Sequence, residues 1–219
     1  MNALAGFAIK GRRVRVRTGF GAGISVALAC FALPAVATDF PVSGSLSLNG
    51  TVSALPDGGV FAGSAYDPSS GQIAPGAFVF PQATLSFDTP FGTAVATYLV
   101  SQDNTSAGMV EADGNASLTD TDLQLDVLSL EISGFPVALG NCTFAPIVLA
   151  LDGGGSMDGL ALGDNGFSVP PVAADDCGGY GAEIDDQIAG SNNDIALELA
   201  GDFTPPSGDE IFGNGFDPP

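Results

Sequence analysis

Apolar and polar residues alternate with period two over much of this chain, the pattern of strands with one face buried. It is cleanest over residues 45–54. Leu46, Leu48, Val52 and Ala54 take one side, and Ser45, Ser47, Asn49, Thr51 and Ser53 the other, with Gly50 between. Taken straight through Gly50, this is a single strand. Pro56-Asp57-Gly58-Gly59 is a turn cluster, and residues 60–66 form its return strand. The same alternation predicts strands at 77–87, 93–101 and 106–112, then a turn at Asp113-Gly114 and a long strand ending near Ile132. In that strand Leu123, Leu125 and Val127 share a face, and Leu128, Leu130 and Ile132 continue one residue out of phase. Such a slip predicts a β-bulge near Val127-Leu128. Residues 147–151, 157–162 and 195–203 complete the strands, and 182–188 alone has a helical look, with Ile184 and Ile188 four apart.

About nine or ten short strands, punctuated by Gly, Pro, Asp and Asn, predict a single all-β domain, an antiparallel sandwich or barrel. There is no internal repeat of fixed period. A transmembrane barrel fits poorly, because the chain has no Trp for interfacial girdles.

The two ends depart from this pattern. Lys10 to Arg17 is a basic stretch, an apolar run of about 15 residues follows from Gly19, and Ala35-Val36-Ala37 supplies small residues at a cleavage site. This predicts a signal peptide over residues 1–37, cut between Ala37 and Thr38. The run is short for a spanning helix, which weighs against a retained anchor. Arg12-Arg13 fits a twin-arginine route poorly, and Ala27-Leu28-Ala29-Cys30 is a poor lipidation signal. The all-β domain then covers 38–203. Thr204-Pro205-Pro206-Ser207-Gly208 reads as a linker into a flexible tail, the two together spanning 204–219.

Charge sharpens the picture. All five basic residues precede position 18, there is no histidine, and all 25 acids follow Thr38. Without imidazole, lysine or arginine, triads, Schiff bases and phosphate-gripping sites are closed to the domain. Nucleic acid and anionic membrane surfaces are unsuitable partners for so negative a chain. Carboxylate-only hydrolysis survives, but no acid pair stands out as a glycosidase couple. Phe87-Asp88-Thr89-Pro90 approaches an aspartic-protease turn with proline in place of glycine, and Asp88 reads as a strand-end residue. The expectation is that the protein is not an enzyme.

No cofactor is required by these residues. Calcium is the natural ion for extracytoplasmic carboxylates, and the candidate ligands are Asp120, Asp122, Asp152, Asp158, Asp175, Asp176, Asp185 and Asp186. None stands in a recognised calcium loop, and solvated acidic turns are the plainer account. Like-charged neighbours would raise carboxylate pKa values, so added salt and mild acid are expected to stabilise the fold.

With Cys30 in the signal segment, Cys142 and Cys177 remain, an even pair suited to an oxidising compartment. A disulfide between them is expected, and localisation is expected to be secreted, periplasmic or cell-surface.

The stretches Gly134-Phe135-Pro136-Val137-Ala138-Leu139-Gly140-Asn141-Cys142, Cys177-Gly178 and Asn193-Asp194-Ile195-Ala196-Leu197 resemble the C-terminal half of uncharacterised secreted all-β bacterial proteins. The resemblance supports the fold and the bridge and implies no activity. The tail, with Ile211, Phe212, Gly215, Phe216 and Asp217, is similar to an Ile-Phe-x-x-Gly-Phe-acidic ending of exported gammaproteobacterial proteins. That implies attachment to a sorting factor or surface component. The functional expectation is an exported structural or interaction module. Its rivals are a carrier of a small apolar ligand inside a barrel and, further off, a carboxylate glycoside hydrolase.

Overall fold

Thirteen strands and one short α-helix form among residues 37–207, the part of the chain that the computed structural model describes. In chain order the strands are β1 (Thr38–Leu48), β2 (Thr51–Ala54), β3 (Gly59–Ser64), β4 (Tyr66–Asp67), β5 (Gln72–Val79), β6 (Ala83–Thr89) and β7 (Gly92–Gln102). There follow β8 (Ser106–Val110), β9 (Asn115–Ile132), β10 (Phe135–Val137), β11 (Thr143–Ser156), β12 (Gly159–Val169) and β13 (Gly190–Leu199). A 3₁₀ turn at Cys177–Gly179 and helix α1 (Gly181–Ile188) lie between β12 and β13.

All pairings are antiparallel, and they close a ring of eight: β1, β3, β5, β7, β9, β11, β12, β13 and back to β1. The other strands are segments of the same ring. β2 and β3 follow one another along β1, β5 and β6 along β7 and β8, and β7 and β8 along β9. The all-β expectation therefore holds, as a closed up-and-down barrel.

Local chemistry explains where the strands break. Asn49 and Gly50 have φ of 47° and 85°, and Leu48 pairs with Thr51 across them. Residues 45–54 are thus a hairpin and not one strand. Asn-Gly supplies two left-handed residues at once, which a two-residue turn demands. Val52 ends 70% exposed instead of sharing the buried face of Leu46 and Leu48. β3 is likewise no return of β2, since both run antiparallel to β1. Residues 77–87 split at Pro81-Gln82 into β5 and β6, and Met157-Asp158 forms the turn before β12 instead of opening it. The bulge in β9 forms as read. Thr97 faces Ser129 and Tyr98 faces Val127, which leaves Leu128 unpaired and 46% exposed.

Side chains sort by pleat. In β13, Asn193, Ile195, Leu197 and Leu199 are buried while Asp194, Ala196 and Glu198 are exposed. The outer wall carries Gln124 and Asp126 on β9 as well as these acids. Inside, Leu46, Phe80, Val100, Leu125, Ile147 and Phe167 surround a space of only about 10 Å³. That is the room of about one water. Eight strands make a ring that side chains can fill, and these six buried side chains fill this part of it.

Closure depends on the β13–β1 seam, where Val42 faces Leu199 and Leu46 faces Ile195. Gly44 sits in this seam with φ of +149°, and a Cβ there would lie 2.0 Å from the Ala196 carbonyl oxygen. Gly44→Ala is expected to destabilise the protein by about 3 kcal/mol through overpacking and strain. Denaturant unfolding would show it as a fall in midpoint at constant slope.

A strap after β13 covers one end of the barrel. The Ala200 amide donates to the Pro41 carbonyl and the Phe203 amide to that of Ser156, each at 2.8 Å. Phe203 is fully buried against Phe40 and Tyr66, with ring centroids 4.9 and 5.2 Å away. The Tyr66 hydroxyl donates to the Thr204 carbonyl, and Pro206 lies beside Gly71. The first residues of the expected linker are therefore laid against the barrel.

Titration bears on this strap. Hydrogen bonds from Ser69 and Ser70 hold the Asp67 carboxyl below its usual value, and those from Thr204 do the same for Asp202. Burial, then the charges of Asp202 and Asp67, raise the Tyr66 phenol. The two carboxylates support the fold above the ordinary carboxylate range, and lose that contribution as pH falls through their lowered values. At these two sites the expected gain from acid is reversed, because hydroxyl and amide donors outweigh like-charged neighbours. Tyr66 supports the fold below about pH 10, and its contribution is lost as pH rises through the raised value. Tyr66→Phe is expected to flatten the alkaline limb of Tm against pH while leaving the acid limb in place.

Candidate functional site

The opposite end of the barrel is open at one side, and three pieces of chain meet there. The first is the β6–β7 hairpin tip. Thr89 fixes it, its hydroxyl donating to the Gly92 carbonyl at 2.7 Å while accepting from the Phe91 amide at 3.2 Å. The second is the β9–β10 tip at Ser133-Gly134, where Ile132 pairs with Phe135. The Ser133 hydroxyl donates to the Phe91 carbonyl at 3.0 Å and its amide to the Thr93 carbonyl at 2.9 Å, so the two tips are tied together. Both carry an aromatic ring in water, Phe91 at 79% exposure and Phe135 at 75%.

The third piece is the connection from β12 to β13. Cys142 and Cys177 form the expected disulfide, with S–S of 2.04 Å and Cα–Cα of 4.4 Å. The Cys177 amide also donates to the Asn141 carbonyl at 2.8 Å. Beyond this anchor α1 turns Ile184 and Ile188 into the core. Asp185 accepts from the Val172 amide at 3.0 Å, and Asn49 in the β1–β2 turn donates to the Asp186 carbonyl at 2.7 Å. Asn193, fully buried, accepts from the Asn49 amide and donates to the carbonyls of Phe167 and Gly190. These bonds fix α1 across the barrel mouth.

Between α1 and the β6–β7–β9 sheet runs a groove of about 300 Å³. Phe87, Ala94, Leu130, Ile132 and Ile184 make its walls apolar, and Asp88, Glu183 and Asp186 bring carboxylates to it. Asp88 accepts a hydrogen bond from the Thr93 hydroxyl at 3.2 Å, which fits its reading as a strand-end residue. Such a site can hold an apolar side chain and attract positive charge.

The calcium candidates are spread over several elements. Asp120 and Asp122 lie on β9, Asp152 on β11, Asp158 in the β11–β12 turn, Asp175 and Asp176 before the 3₁₀ turn, and Asp185 and Asp186 on α1. Asp122 accepts from the Asn104 amide group at 3.1 Å, and Asp185 is engaged as above. Among the described residues no three or more His, Cys, Asp or Glu gather as a metal-binding group. Ala37 is exposed just ahead of β1, which begins at Thr38. The rest of the expected signal segment and the tail residues Ile211, Phe212, Gly215, Phe216 and Asp217 lie outside the described residues.

The groove was not among the sequence-derived sites. Its residues come from three separated segments, and period-two patterning assigns Phe87, Leu130 and Ile132 simply to a buried face. Phe91 between Pro90 and Gly92, and Phe135 after Gly134, are the available clue, since an aromatic at a turn tip has nowhere to be buried. Comparison with family models, curated proteins and solved structures finds no match for this chain.

Proposed function

We propose that this protein is an exported structural or interaction module that meets a macromolecular partner at the open end of its barrel. The observation that carries this reading is the contrast between the packed space among Leu46, Phe80, Leu125 and Phe167 inside the barrel, about 10 Å³, and an aromatic-tipped groove of about 300 Å³ at the rim. A carrier of small apolar ligands needs an enclosed cavity of some hundreds of Å³, and the packed core argues against one. The disulfide supports work in an oxidising compartment. The acidic tail, by its likeness to endings of exported proteins, serves as the attachment element to a sorting factor or surface component.

The test uses photo-crosslinking amino acids at position 91 and, as control, at Ser168 on the outer wall, in chain expressed in an exporting host. A single partner captured at 91, absent at 168, and bound by the purified chain but not by its Phe91→Ser/Phe135→Ser variant supports the reading. Equal capture at both positions, or unchanged binding by the double variant at unchanged Tm, overturns it.

A further inference from the structure

We infer that the rim groove is a docking site for an extended peptide segment of a partner protein that carries an apolar side chain flanked by lysine or arginine. This rests on the reading of the rim as a contact surface and names the chemistry of what it contacts. Three observations point the same way.

The first is shape and polarity. Phe87, Ala94, Ile132 and Ile184 provide apolar walls around about 300 Å³, enough for a large aliphatic or aromatic side chain. The second is an available strand edge. β6, whose Phe87, Asp88 and Thr89 line the groove, pairs with β7 on one side and with no strand on the other among the described residues. An extended segment added to such an edge gains main-chain hydrogen bonds and alternates its side chains in and out of the groove. β6 has neither lysine nor proline to blunt that edge.

The third observation is charge. Asp88, Glu183 and Asp186 stand at the groove, and the sequence contains no basic side chain beyond Arg17. The barrel cannot neutralise these carboxylates from its own residues. A segment with lysine or arginine beside its apolar anchor supplies the missing charge, whereas an acidic segment is repelled. The charges sort partners, and the apolar walls hold them.

The experiment uses the purified chain and three fluorescently labelled probes, Lys-Val-Phe-Val-Lys, Gln-Val-Phe-Val-Gln and Glu-Val-Phe-Val-Glu, with binding read by anisotropy at two salt concentrations. The lysine probe is expected to bind roughly tenfold or more tightly than the glutamate probe at low salt, with the gap narrowing as salt rises. Amide shifts on binding are expected at Phe87, Ile132 and Ile184. Asp88→Asn with Glu183→Gln, both at exposed positions, is expected to bring the three probes within about threefold of one another.

Equal binding of all three probes by the unmodified chain, mapped to the groove, overturns the basic-segment inference while leaving the rim as a contact surface. Shifts confined to the outer wall, or no saturable binding of any probe, overturn the docking site itself. If the Phe91→Ser/Phe135→Ser chain nevertheless loses a captured partner, the rim reading survives that failure.

Discussion

Serine at both Cys142 and Cys177 is expected to lower Tm by roughly 10 °C, measured by calorimetry or circular dichroism under non-reducing conditions. The bridge closes a loop with a sequence separation of 35. In the chain-entropy account a loop of that size is worth about 3 to 4 kcal/mol. For a domain of this length each kcal/mol corresponds to roughly 2–4 °C. Position tells where the loss is felt. The bridge ties the start of β11 to the turn preceding α1, and both sulfurs are buried. Hydrogen exchange in the double-serine chain should therefore accelerate first across residues 170–189, with the ladder between β12 and β13 protected until global unfolding. A uniform loss of protection would mean that the bridge supports the whole barrel and not its cap.

Phe203→Ala is expected to cost about 3–5 kcal/mol, the range for emptying a buried aromatic site. The ring is fully buried at the strapped end, where it meets Phe40 and Tyr66. Its backbone amide is bonded to Ser156, so the strap cannot slide to fill the space without losing that bond. Phe203→Leu should recover a good part of the loss, since it returns apolar volume. If Phe203→Ala unfolded at the same denaturant concentration as the unmodified chain, the strap would not be part of the cooperative unit.

These two sites show unequal legibility in the sequence. The bridge follows from counting cysteines after the expected signal segment is set aside. Phe203 was legible as apolar, but its alternation with Leu199 and Leu197 made it the end of a strand. Only the tertiary structure shows that the chain leaves β13 at Leu199 and folds Phe203 across the barrel floor. Elsewhere period-two patterning located nearly every strand, and the phase slip at Leu128 located the bulge, because both are local consequences of one buried face.

What patterning could not convey is which segments continue one another. Whether β2 and β3 form a hairpin or a broken strand depends on the partner they share, β1, and on the turn chemistry of Asn49-Gly50. The groove was invisible for the same reason, since its walls are contributed by segments from Phe87 to Gln187 that only barrel closure brings together. Chemical exclusions drawn from composition need no geometry. The absence of bases beyond Arg17 left carboxylates as the only charges the groove could present, and carboxylates are what stand there.

The seam between β1 and β13 has a consequence for how the chain acquires its structure. Val42 finds its partner at Leu199, nearly the whole length of the domain away, while the other pairings in the ring join neighbours in sequence. Hairpins can form as soon as each has been synthesised, but the ring cannot close until its last strand is available. Until then β1 waits with an unpaired edge. Such non-local pairing slows folding and exposes edges to other chains, so closure of the ring waits on β13, and factors that bind unpaired strands would act on β1 in that interval.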